Sequence, residues 1–168
     1  MTISKHRFFQ FHLKHDKLFQ KGSVLIISHD SGGAEILSAW VEQLSIPKPV
    51  FFLKGPAVGI FQRAGLVDEN YLFTEKWPED ASFMLASMSF HDGFTMEMLA
   101  RGKIRGLTTE LVLDSWFDYA ARFGFPTIGW VECLPNNLTV VDNLARSIVE
   151  SGPLLDHCDL FQIENYYL

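Results

Sequence analysis

From Ser23 onward, short apolar runs rich in β-branched residues alternate with stretches whose apolar residues recur every three or four positions. No tight turn of the Asn-Gly kind joins two of the runs. This alternation leaves few folds open. A continuous apolar run suits a strand buried on both faces. An amphipathic helix between two such runs returns the chain so that the next strand lies parallel to the last. The expectation is one doubly wound α/β domain over residues 23–168, with a mainly parallel sheet and helices on both faces, Rossmann-like in plan.

The strands are expected at 24–27 (Val-Leu-Ile-Ile), 50–53, 82–87, 110–113, 138–141 and 160–163, with a minor strand at 71–73. Helices are expected at 34–44, where Ile36, Leu37, Trp40, Val41 and Leu44 share a face, and at 57–64, 92–100, 115–123 and 143–150. The 168 residues, 48% of them hydrophobic and 20% charged, are enough for a core that needs no staples. Cys133 and Cys158 are too few for a disulfide framework, and nothing near them has zinc-ligand spacing. They read as buried apolar residues of a reducing, cytoplasmic compartment. No apolar run reaches membrane-spanning length, and Lys14, His15, Asp16 and Lys17 interrupt the first apolar stretch where a signal peptide would need continuity.

Charge is uneven. Residues 1–22 hold Lys5, Arg7, Lys14, Lys17 and Lys21 against Asp16 alone, a net +4, so that the other 146 residues carry −10 of the overall −6. The acidic balance gives no reason to expect nucleic-acid binding. The same 22 residues contain Phe8, Phe9, Phe11 and Phe19. They read as an arm that packs on its own domain or on a second copy. Contact with an anionic membrane surface is the weaker alternative, because Phe8, Phe9 and Phe11 do not form one clean helical stripe. His6, His12 and His15 lack carboxylates at ligand spacing, so no metal site is expected there.

In parallel sheets of this kind ligands bind beyond the carboxyl ends of the strands, where strand order reverses. That rule selects the loops 28–33, 54–56, 88–92 and 114–119. In the first, His29-Asp30-Ser31-Gly32-Gly33 lets backbone amides at a helix start approach a ligand, and Asp30 or Ser31 equally fits a helix cap. It is neither the dinucleotide fingerprint nor a Walker loop. In the third, His91 beside Asp92 suggests an acid/base group with its carboxylate, and Asp92 equally fits an N-cap. In the fourth, Asp114 follows a buried strand, and Trp116, Tyr119 and Arg122 recur at threes. On one helical face they would suit a sugar ring or a phosphate. The plainer reading makes Asp114 an N-cap, pairs Asp118 with Arg122 at the surface and buries Trp116 and Phe123. Asn136-Asn137 and Asp142-Asn143 fit turns or caps.

The stretch His29-Asp-Ser-Gly-Gly-Ala-Glu35 resembles the first unit of the N-terminal half of GT-B glycosyltransferases and UDP-N-acetylglucosamine 2-epimerases. Leu113-Asp-Ser-Trp-Phe-Asp-Tyr-Ala-Ala-Arg-Phe123 and Leu134-Pro-Asn-Asn-Leu-Thr-Val-Val-Asp142 resemble two further segments of polysaccharide-biosynthesis members, in the same order. Ile163-Glu-Asn-Tyr-Tyr-Leu168 resembles their interdomain Gly-Asn-Pro-Tyr-Leu segment, with Glu164 and Tyr166 in place of the Gly and Pro. The resemblance implies a single GT-B half whose partner, a second copy or a separate C-terminal chain, completes a cleft for a nucleotide-sugar. No permanently bound cofactor is implied. It implies glycosyl transfer or sugar epimerisation, with Asp114 matching an acid of the family's proton chemistry and Asp92 a looser match. His91 or Asp114 is then the base, and Gly32-Gly33 holds an anionic group. The rival expectation is a non-catalytic ligand-binding or interaction module on the same fold.

Overall fold

The computed structural model describes Phe19, residues 21–44, Ile46, residues 49–88 and residues 92–163. The expectations for residues 1–18, for His91 and for residues 164–168 lie outside the described residues. Among the described residues six strands form one sheet: β1 (Ser23–Ser28), β2 (Pro49–Leu53), β3 (Ala81–Met88), β4 (Thr108–Leu113), β5 (Asn137–Val140) and β6 (Asp159–Gln162). Their order is β2-β1-β3-β4-β5-β6, and every neighbouring pair is parallel. The chain is a doubly wound, Rossmann-like α/β domain. The strand order reverses between β1 and β3.

Among the described residues five α-helices connect the strands: α1 (Ser31–Leu44), α2 (Pro56–Arg63), α3 (Gly93–Ile104), α4 (Tyr119–Arg122) and α5 (Asn143–Glu150). Alternation along each strand divides the core into two faces. On the front face Val24, Ile26, Phe83, Leu85 and Val112 pack with Ile36, Leu37, Trp40 and Leu44 of α1 and with Ile60 and Phe61 of α2. On the back face Leu25, Ile27, Met84, Leu111, Leu113, Leu138 and Val140 pack with Met98 and Leu99 of α3, Tyr119 of α4 and Val149 of α5. Each such fully buried aliphatic side chain stabilises the fold by about 1.5–3 kcal/mol. No helix among the described residues is long and apolar enough to cross a membrane.

Two expected elements differ. Residues 71–73 form no strand. Tyr71 instead reaches the edge strand with its side chain: its hydroxyl accepts from Leu53 N (3.0 Å) and donates to Phe51 O (2.8 Å). One phenol thus satisfies backbone groups of β2 that another strand would have paired. The helix expected at 115–123 shrinks to Tyr119–Arg122, and Asp118 before it turns left-handed at φ 42°. The reason is a set of long-range bonds to Arg122, described below, around which residues 114–118 fold as a loop.

Candidate functional site at the carboxyl edge of the sheet

At the reversal point Ser28 of β1 and Ser87 of β3 share a buried hydroxyl–hydroxyl bond of 2.8 Å. Directly above it α1 begins at Ser31, three residues earlier than its apolar periodicity suggested, so Gly32 and Gly33 lie in its first turn. Both need to be glycine for the same reason, close approach. A Cβ on Gly33 would stand 2.7 Å from Ser87 Cβ, and one on Gly32 would collide with Asp114 Oδ2. The loops after β1 and β4 therefore converge, as the topology required.

Asp30 caps α1, accepting from Gly33 N at 2.9 Å. With Asp114 held against Gly32, two carboxylates already serve the positive end of this helix. An anionic group at Gly32-Gly33 would share this helix start with both carboxylates.

Asp114 and Arg122 form a nearly sealed ion pair at 3.0 Å, their side chains 10% and 1% exposed. The guanidinium also donates to Met88 O (2.9 Å), to Phe117 O (3.2 Å) and to Ser115 Oγ. Arg122 is thus a buried clamp across the ends of β3 and β4. The surface pairing of Asp118 with Arg122 is replaced by this buried one. Tyr119 is buried too, its ring under the guanidinium at 5.2 Å. Burial pushes its phenol up to about 12. Trp116, in contrast, stands 55% exposed, with its indole N–H donating to Asp142 Oδ2 at 2.6 Å. Asp142 also caps α5 through Ala145 N. The indole N–H is anchored while part of the ring stays open to solvent, an arrangement suited to stacking.

His29 lies on the other side of α1's start. Its ring is 43% exposed on the side chain, with Nδ1 3.9 Å from Asp92 Oδ1. Gly55, at φ 53°, leaves room for it: a Cβ there would stand 2.9 Å from His29 Nε2. Asp92 is buried and caps α3, accepting from Thr95 N (3.1 Å) and Thr95 Oγ1 (2.5 Å). Asp92 accordingly backs His29 and does not open on the cleft. Lys54 adds a cation nearby, its Nζ 4.4 Å from the Phe94 ring and 4.5 Å from that of Phe73. The roles of Lys54 and Asp142 were hidden in the sequence. Lys54 carried only its place after the second strand, and Asp142 only its capping type. Among the described residues no three metal-ligating side chains gather.

The fold and this edge define a Rossmann-like α/β protein with its polar residues grouped at the strand-order reversal. Comparison with protein families, with curated proteins and with solved structures finds no match to this chain.

Proposed function

We propose that the carboxyl edge of the sheet binds a nucleotide-sugar and takes part in glycosyl transfer or sugar epimerisation, together with a second chain or copy that closes the cleft. The observation that carries this reading is a half-exposed imidazole, an Arg-clamped carboxylate and an exposed, anchored indole on loops that follow β1, β4 and β5 at the carboxyl edge of one sheet. Asp114 Oδ2, turned towards Gly32, accepts from sugar hydroxyls. Trp116 stacks on a ring, and Lys54 meets the diphosphate. His29, backed by Asp92, is the acid/base group, a role the sequence reading gave to His91 or Asp114. Asp114 itself is tied to Arg122 and positions ligand. The same clamping supports the second reading, a binding module without catalysis.

A thermal-shift screen with nucleotides and nucleotide-sugars tests the first step. A ligand at 100 times its Kd stabilises by about 2.7 kcal/mol. Trp116→Ala is expected to weaken binding at least tenfold. His29→Gln is expected to keep binding and to lose turnover in the assembled system. Binding and turnover both unchanged in His29→Gln would favour the module. No shift with any nucleotide-sugar at millimolar concentration would overturn the site.

A further inference from the structure

The amino edge of the sheet, opposite the candidate site, carries a cavity of about 210 Å³. Its walls are Trp77, Pro78, Glu79 and Ala81, which lead into β3, and Arg105 and Leu107, which join α3 to β4. Backbone bonds fix both walls. Ala81 N donates to Pro78 O at 3.3 Å, and Ser23 N donates to Asp80 O at 3.1 Å. Across the cavity Gly106 N donates to Lys103 O (2.9 Å) and Leu107 N to Gly102 O (3.0 Å). These bonds end α3 in a tight turn with Gly106 at φ 75°. Leu107 is buried, and Trp77, Pro78 and Ala81 are half-buried, so the floor is apolar. Trp77 is held on two sides. Its indole N–H donates to Glu75 Oε1 at 3.0 Å, and its ring stands edge-on to Phe52 at 5.5 Å.

Two exposed side chains of opposite charge line this cavity without neutralising each other. The Arg105 guanidinium lies over the Trp77 ring, 4.7 Å from its centroid. Its neighbour Arg101, 5.4 Å from the same ring, is ion-paired with Glu75 and Glu97. Among the described residues Arg105 pairs with no carboxylate and Glu79 with no cation. A guanidinium offers two parallel donors to a carboxylate, and stacking on an indole fixes its plane. A carboxylate such as that of Glu79 accepts from an ammonium. Together on an apolar cavity, the two groups complement a molecule that carries both opposite charges and an apolar part. The volume bounds its size. At about 30 Å³ per water, the cavity has room for about seven waters. That is the bulk of a small amino acid.

We propose that this cavity binds a free α-amino acid with a small apolar side chain, its carboxylate on Arg105, its ammonium on Glu79 and its side chain against Trp77 and Leu107. The site lies at the edge opposite the one read as a nucleotide-sugar cleft and stands without that reading. Amide chemical shifts of the full-length protein, followed through titration with L-leucine and L-valine, test it. The expected result is a saturable change at residues 77–81 and 105–107, with a Kd of about 1 mM or tighter. Isoamylamine, which lacks the carboxylate, is expected to bind at least tenfold more weakly than L-leucine. The ammonium is missing from 4-methylpentanoate and neutralised in N-acetyl-L-leucine, and each is expected to bind about threefold more weakly or worse. Arg105→Gln is expected to weaken L-leucine at least tenfold and Glu79→Gln about threefold. Both residues are exposed, and the amide spectrum away from the cavity reports that each variant is folded. No saturable change with either amino acid would overturn the proposal. N-acetyl-L-leucine or 4-methylpentanoate binding as tightly as L-leucine would also overturn it, by leaving Glu79 without a part. Isoamylamine binding as tightly would do the same for Arg105. Wild-type affinity in both variants would overturn the assignment to this cavity.

Discussion

Asp114 is the residue whose meaning changed most between sequence and structure. As a helix cap it would exchange with Asn at almost no cost. Its carboxylate instead neutralises a guanidinium that is 1% exposed. Removing one partner of a buried pair strands the other charge, at about 3–5 kcal/mol. Asn retains one acceptor for Arg122, so Asp114→Asn is expected to lower the unfolding free energy by about 3 kcal/mol, read as the shift of the urea midpoint at constant m. A change below about 0.5 kcal/mol would mean that Arg122 is satisfied by Met88, Phe117 and Ser115 alone. An activity loss in this variant must therefore be weighed against folding, and His29→Gln is the cleaner probe of chemistry.

At the scale of elements, β2 depends on a side chain for its outer edge. Tyr71→Phe removes the hydroxyl that serves both Leu53 N and Phe51 O. Leaving such groups unpaired costs about 1–3 kcal/mol, and an uncovered edge invites pairing with another chain. The variant is expected to lose about 1–2 kcal/mol and to self-associate more readily, measured by urea unfolding and by light scattering at rising concentration. Unchanged stability and scattering would show that solvent serves this edge equally well. The same Tyr71 explains why a strand was expected and none formed: its apolar-aromatic neighbourhood reads as β, while its hydroxyl does the pairing. Where an element's own periodicity is strong, as in β1 or α1, the reading from sequence is right to within three residues. The stretch 115–123 misleads because i,i+3 spacing cannot foresee Arg122 drawing Asp114, Met88 and Phe117 around one guanidinium.

At the scale of the whole molecule, two buried acids make stability depend on alkaline pH. The Tyr119 phenol is raised from 10 to about 12, and the Cys158 thiol from 9 to about 11, both chiefly by desolvation. In each the folded state favours the neutral form, so the unfolded chain ionises first. The contribution of these two groups is constant below about pH 8 and falls as pH rises towards 12, by up to about 2–3 kcal/mol per group. Denaturant titrations between pH 8 and 12 measure this slope. Tyr119→Phe is expected to flatten the part between pH 10 and 12. It should also add about 1 kcal/mol at neutral pH, because the Tyr119 hydroxyl is buried without a hydrogen-bond partner. An unchanged alkaline slope in Tyr119→Phe would show that the phenol reaches water before unfolding.

The architecture was legible in the linear chain because apolar period is a local property. Runs such as Val24–Ile27 and the face of Ile36, Leu37, Trp40 and Leu44 have one low-energy arrangement in water, strand and helix packed together. Parallel pairing and the position of the cleft follow from the alternation itself. Which polar residue meets which was decided only by tertiary structure. Asp92 stands behind His29, 63 positions away. Asp114 turns to Gly32 and Arg122, and Trp116 is anchored by Asp142 across two strands. Such pairings depend on strand register and on the desolvation of each charge, and neither quantity is written in the spacing of the residues.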